Sequence, residues 1–271
     1  MHSSDDGEVR KGEKEAVLHD DGEEGASLLR RLSIGPRPST RDRQLVILAL
    51  GGLLCERVLI RENPSRVFNA RRPYDAAYGS FVVYKRPHCE TFLKFCFEKF
   101  DVAIWSTANS WYTENALDCV MTGLKKSGLV FVWNQHAIDS GFKSLQKKDR
   151  PIFLKKLSNV WDRRWRTTFG SSSRRYSASN TLMIELDDVP EKTLLNPPNT
   201  AVFAPEYKFE DDDDNVLAQE GELWKFLDGL SRAEDVGSYV TANPYGPPAI
   251  TAAHPDWAYY QEIIHAHGGS S

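Results

Sequence analysis

Two adjacent acids closing an apolar run are the residues of this chain best placed to do chemistry. Thr181-Leu182-Met183-Ile184-Glu185-Leu186 reads as a buried strand that delivers Asp187 and Asp188 at its tip. A carboxylate pair of this kind suits a hard cation such as Mg²⁺, which prefers oxygen ligands. A second apolar run, Leu45 to Leu50, passes into Gly51-Gly52-Leu53-Leu54 and carries no acid at its tip. In an open α/β sheet, ligands bind outside the carboxyl ends of the strands, so both tips face one crevice. One tip is furnished for a cation and the other is bare. A structural alternative exists for the acids, because Asp187-Asp188-Val189-Pro190 could also open a helix.

The elements that must hold these tips follow from the apolar pattern. Leu45–Leu50 is continuous, as expected for a strand buried on both faces. Ser80–Tyr84, Asp101–Ser106, Leu129–Trp133 and Ala201–Phe203 read as further strands. Helices are expected from Pro87 through Phe100, from about Ser110 to Met121, from Pro151 through Trp161, and from Gly221 to Ala233. Residues 57–79 and 134–150 read as irregular excursions, and Asp211-Asp212-Asp213-Asp214 as a solvated acidic loop. Strands alternating with helices imply a parallel α/β sheet with right-handed crossovers. Trp105, Trp133 and Trp161 are expected as core aromatics.

Composition narrows the function classes. Hydrophobic residues make up 41% of the chain, enough for a sizeable core. The net charge of -4 argues against direct nucleic-acid binding, which favours basic surfaces. No apolar run approaches the roughly 18 residues that cross a bilayer. Cys55, Cys89, Cys96 and Cys119 are scattered, form no CxxC pair and read as buried thiols of a reducing compartment. Residues 1–42 are polar and acidic, lack the apolar core of a secretory signal, and are expected to be disordered. Within them, Arg30-Arg31-Leu32-Ser33 is a basic string before a serine. The domain plan is therefore a tail over 1–42, a folded domain over 43–243 and a Pro- and Gly-rich tail over 244–271, in a nuclear or cytoplasmic protein.

Several strings carry a family resemblance: Val83-Tyr84-Lys85-Arg86-Pro87, Val102-Ala103-Ile104-Trp105-Ser106, Asp139-Ser140-Gly141-Phe142-Lys143, Asn180-Thr181-Leu182, Leu186-Asp187-Asp188-Val189-Pro190 and Asn196-Pro197-Pro198-Asn199-Thr200. Their order over Gln44 to Val240 resembles the haloacid-dehalogenase superfamily and, more narrowly, plant members of its NLI-interacting-factor-like branch. That branch contains the phosphatases of the RNA polymerase II C-terminal domain and the Dullard phosphatases. The resemblance implies a HAD-like Rossmannoid parallel sheet flanked by helices, with a small insert rather than a full cap domain.

It also implies a chemistry. A phosphoryl group passes first to an aspartate at the tip of the first strand. A second acid two residues on protonates the leaving group and later activates water. A Ser or Thr holds a phosphoryl oxygen, a Lys neutralises developing charge, and one or two acids hold Mg²⁺. On this pattern Ser106 stands at the Ser/Thr position, Lys155 at the lysine position, and Asp187 with Asp188 at the metal position.

The first motif departs. Where the family has Asp-x-Asp or Asp-x-Asn followed by Gly, this chain has Ala49-Leu50-Gly51-Gly52. Ala49 replaces the nucleophile and Gly51 the acid/base, and neither can ionise. Asp42 would lie at the opposite end of the strand, roughly 20 Å away, and Glu56 lies past the turn. The resemblance therefore implies a degenerate phosphoprotein-phosphatase domain, a pseudophosphatase that binds a protein or phosphoprotein, with weak or absent Mg²⁺ because a ligand carboxylate is lost. The alternatives are an active Mg²⁺-dependent phosphatase with water or another nucleophile, and a role like that of the mitochondrial import translocase receptor. The missing presequence and transmembrane helix rank the last one lowest.

Overall fold

The first apolar run folds as β1 (Leu45–Leu48), in which no residue reaches solvent. A computed structural model describes residues 43–147, 150–166 and 173–268. The acidic segment, with Arg30-Arg31-Leu32-Ser33 and Asp42, lies outside the described residues. After β1 come β2 (Cys55–Leu59), the short helix α1 (Pro64–Phe68), β3 (Ala76–Tyr78) and β4 (Phe81–Lys85). These three strands pair antiparallel in the order β2-β4-β3. Helix α2 (Cys89–Lys99) follows, burying Phe92, Leu93 and Cys96 at helical spacing, and leads into β5 (Asp101–Trp105). Asn109 caps α3 (Ser110–Val120) by accepting the Tyr112 N–H at 2.9 Å.

The second half adds β6 (Leu129–Trp133), a hairpin of β7 (Ile138–Lys143) and β8 (Pro151–Leu154), and the single-turn helix α4 (Ser158–Trp161). A two-residue ribbon of β9 (Trp165–Arg166) and β10 (Ser173–Arg174) precedes β11 (Thr181–Leu186) and β12 (Ala201–Ala204). Three helices close the chain: α5 (Glu222–Leu230), α6 (Val236–Ala242) and α7 (Trp257–His267).

The central sheet has five strands in the order β12-β11-β1-β5-β6, every neighbouring pair parallel. Its two faces divide the strand residues alternately. Val46, Leu48, Ile104 and Ile184 pack with α2, α3 and α5 on one face. Leu45, Ile47, Ala103, Trp105 and Met183 pack with Leu157, Val160 and Tyr176 on the other. Burial on both sides is why these strands are continuously apolar in sequence. Each such Leu, Ile, Val or Phe contributes about 1.5–3 kcal/mol on removal from water. The parallel α/β sheet with a small insert matches the expected fold class.

Several elements differ from the sequence pattern. Residues 57–79, expected as a loop, hold most of β2, α1 and β3. Their strands are short, and Glu56 and Arg57 in β2 together with the Asn63-Pro64 break interrupt any apolar run. The excursion over 134–150 contains β7. The helix expected from Pro151 opens as β8, where Pro151 is the exposed first residue and Ile152 and Leu154 alternate inward. Leu157 and Val160 then come from the turn that follows, so a strand plus one helical turn mimics helical spacing. The helix expected at Pro87 starts at Cys89, with His88 left-handed at φ 63. Beyond Pro244, α7 buries Tyr260 and Ile263 against Ile152 and Leu154.

Candidate functional site

Because β1 lies between β11 and β5, the tips of the three motif-bearing strands stand side by side at one sheet edge. At the first tip the backbone N–H of Ala49 still donates to the Ile184 carbonyl at 3.0 Å, extending the ladder past the strand. The chain then reverses, with Leu54 N–H donating to Leu50 O at 3.0 Å and Gly52 N–H to Cys55 O at 2.7 Å. Gly52 is required here. Its φ is +84, and a Cβ would lie 2.5 Å from Leu186 Cδ1. Gly51 is different, since a Cβ there would meet only the Arg57 guanidinium, at 3.4 Å from Nη2. Arg57 thus borders the space that an acid at position 51 would use, its guanidinium over the Tyr112 ring.

Ser106 ends β5 and is buried. Its N–H donates to Trp133 O at 2.8 Å, and its Oγ accepts the Ala108 N–H at 3.1 Å, which folds the hydroxyl back on its own loop. Lys155 follows β8, and its side chain runs to the neighbouring residue of the same tip, where Nζ donates to the Trp105 carbonyl at 2.8 Å. The structure therefore brings Lys155 and Ser106 together. Lys155 does not, however, project as a free cation from an amphipathic helix. It is 2% exposed and bonded to Glu185, itself fully buried in β11. Asn196 fixes this turn by accepting Leu157 N–H and donating to Lys155 O, each at 2.8 Å.

Burial lowers the Lys155 ammonium to about 8, against the opposing pull of Glu185. Burial alone would raise Glu185, but Lys155 and Lys192 hold it below the usual carboxylate range. Both groups are charged at neutral pH, so the lysine's charge is already matched inside the protein.

Asp187 and Asp188 follow β11 as expected, and neither caps the 3₁₀ turn Pro190–Thr193, whose N-cap residue is Val189. Asp187 N–H donates to Ala204 O at 3.0 Å. Asp188 is ion-paired with Lys147, whose Nζ also lies 3.4 Å from Glu206 Oε2. Lys208 reaches the same Glu206 oxygen at 2.8 Å. Burial pushes the Asp188 carboxyl up, and the Glu206 carboxylate beside it acts in the same direction. Glu206 is held at about 2, where burial is outweighed by its bonds to Lys208 and Asp188 and by the charge of Lys147. The sequence carries no local signal for Lys147, which sits in the turn between β7 and β8, or for Arg57 and Glu206.

This donor set does not fit a Mg²⁺ ion. Octahedral coordination needs carboxylates free to turn toward the metal. Ala49 and Gly51 offer none, and one oxygen of Asp188 is taken by an ammonium. Among the described residues no group of three or more His, Cys, Asp or Glu side chains is placed to hold a metal ion. What the tips do present is a serine hydroxyl, two adjacent carboxylates and the cations Lys147 and Arg57. Such a constellation can hold a ligand, and position 49 contributes no carboxylate to it.

A parallel sheet with motif residues at three adjacent carboxyl ends is the frame that the haloacid-dehalogenase resemblance implies. A family model described as NLI interacting factor-like phosphatase matches residues 44–237, and the chain belongs to that family. It is 27% identical over 162 residues to an uncharacterized FCP1 homology domain-containing protein of Schizosaccharomyces pombe, with 59% of this chain and 60% of that protein covered. Among solved structures it is similar to Fcp1, an essential RNA polymerase II CTD phosphatase, with a TM-score of 0.38 and 13% identity over 90% of this chain and 64% of the other. It is also similar to fission yeast Fcp1 bound to beryllium fluoride, with a TM-score of 0.40 and 10% identity over 90% and 65%. No helix among the described residues is long and apolar enough to cross a membrane.

Proposed function

We propose that this chain is a phosphatase-like module that binds a protein or phosphoprotein partner in its cleft and does not hydrolyse it. The observation that carries this reading is Ala49, locked in register beside Ile184 at the position where the family's covalent chemistry begins. A methyl group cannot accept a phosphoryl group. Ser106 and Arg57 remain as hydrogen-bonding and cationic groups suited to a phosphorylated side chain. The placement in nucleus or cytoplasm and the weakness of any Mg²⁺ requirement belong to the same reading. A working phosphatase using water on Mg²⁺ is disfavoured by the ammonium already paired with Asp188.

The test restores both lost carboxylates. Position 51 accepts a side chain, because the one group near its Cβ is the far end of the flexible Arg57. Ala49→Asp combined with Gly51→Asp is expected to hydrolyse a generic phosphoester in Mg²⁺, whereas the native chain binds a phosphoserine peptide and leaves it intact. Failure of the native chain to retain the phosphopeptide over its unphosphorylated twin would remove the phosphoprotein ligand from the account.

A further inference from the structure

We infer that the Lys147 ammonium is the resident cation of this cleft, standing against Asp188 and Glu206 so that the site is complete without a divalent metal. The inference rests on the reading of the cleft as a degenerate phosphoryl-transfer site. Three observations support it. Lys147 Nζ is shared between Asp188 and Glu206, and its side chain is only 22% exposed. Glu206 also takes the Lys208 ammonium at 2.8 Å, so Asp188 and Glu206 both face ammonium groups already in place. Lys147 is also held by its own turn, where its N–H donates to Ser144 Oγ at 3.2 Å and Ser144 N–H donates to Arg150 O at 2.9 Å.

A divalent ion would have to displace this ammonium while giving up tightly held water, and the first strand offers no carboxylate in return. The bare tip at positions 49 and 51 and the Lys147 ammonium are therefore parts of one electrostatic arrangement. With no carboxylate at the first tip, a single positive charge on a side chain suffices. Asp188 Oδ1 is buried without a hydrogen-bond partner. Removing Lys147 would thus leave Asp188 facing Glu206 and next to Asp187 with no ammonium on it.

Calorimetric titration and thermal unfolding with MgCl₂ test this without any phosphoester. The native chain is expected to give no saturable heat and no metal-dependent rise in Tm at millimolar Mg²⁺. Lys147→Met is expected to gain both, and Lys147→Met with Asp188→Asn to lose them again. Saturable Mg²⁺ binding by the native chain would overturn the inference. So would folded Lys147→Met and Lys147→Gln variants, judged by circular dichroism, that bind no metal. Metal binding by the native chain would leave the proposed absence of turnover standing, because that rests on Ala49. Turnover by a native chain that binds no metal would remove the functional reading and leave Lys147 in place.

Discussion

Arg86 grips Asp214 with two parallel bonds, Nε to Oδ1 at 2.9 Å and Nη2 to Oδ2 at 2.7 Å, from a guanidinium with no side-chain exposure. Its remaining nitrogen, Nη1, points at the carbonyls of Gly52 and Leu53, each at 3.4 Å, and donates to Pro205 O at 3.0 Å. The last acid of the acidic loop, expected to be solvated, is instead the anchor that braces the turn after β1. Burial makes the pair necessary, since removing one partner strands the other charge. Asp214→Ala should therefore lower unfolding stability by about 3–5 kcal/mol. Urea denaturation would measure it, and a loss no larger than the ~1 kcal/mol of a surface pair would refute the brace.

The Lys155–Glu185 pair yields a coupling prediction. Each partner alone is a buried charge, so Lys155→Met and Glu185→Gln should each destabilise strongly, while the double variant recovers part of the loss. A double-mutant cycle should return an interaction of roughly 1–3 kcal/mol. Additive single losses would mean that the lysine's charge is balanced elsewhere.

Stability should fall on the alkaline side. Burial raises all four thiols, Cys55 to about 12 and Cys119 to about 11, with Cys89 and Cys96 raised as well. An unfolded thiol ionises near about 8.5. Above that pH the unfolded chain sheds protons that the folded chain keeps, and stability drops by up to about 1.4 kcal/mol per pH unit for each thiol. Lys155 acts oppositely from about 8 to its ordinary 10.5, because there the unfolded chain holds the extra proton. One thiol is thereby cancelled and the net slope stays downward. Urea midpoints at pH 8 and pH 10 would show it, and Cys96→Ala should flatten the fall. Midpoints unchanged between the two would contradict buried thiols.

Fully buried strands were legible because a parallel sheet forces continuous apolar runs, as in Leu45–Leu48 and Thr181–Leu186. The relation of Ser106, Lys155 and Asp187-Asp188 was legible only as a motif order; alone, each is an ordinary strand-end or surface residue. The insert was not legible, because short strands such as β2 set Glu56 and Arg57 among their apolar residues. Nor were the charge partners. Glu185 reads as a polar interruption of an apolar strand, and its meaning comes from Lys155, 30 residues away. Lys147 and Asp188 meet through the fold alone. Long-range pairings of this kind leave no trace in local spacing.

The central claim is that the native chain has the fold of a phosphatase without its chemistry. Loss of a covalent nucleophile that works in concert with its neighbours costs on the order of a million-fold in rate. The direct measurement is phosphate release from a generic aryl phosphoester by the purified native chain, from no added Mg²⁺ to millimolar Mg²⁺. The account predicts no release above the buffer blank at any metal level. Sustained release by the native chain that disappears in Asp187→Asn would contradict it.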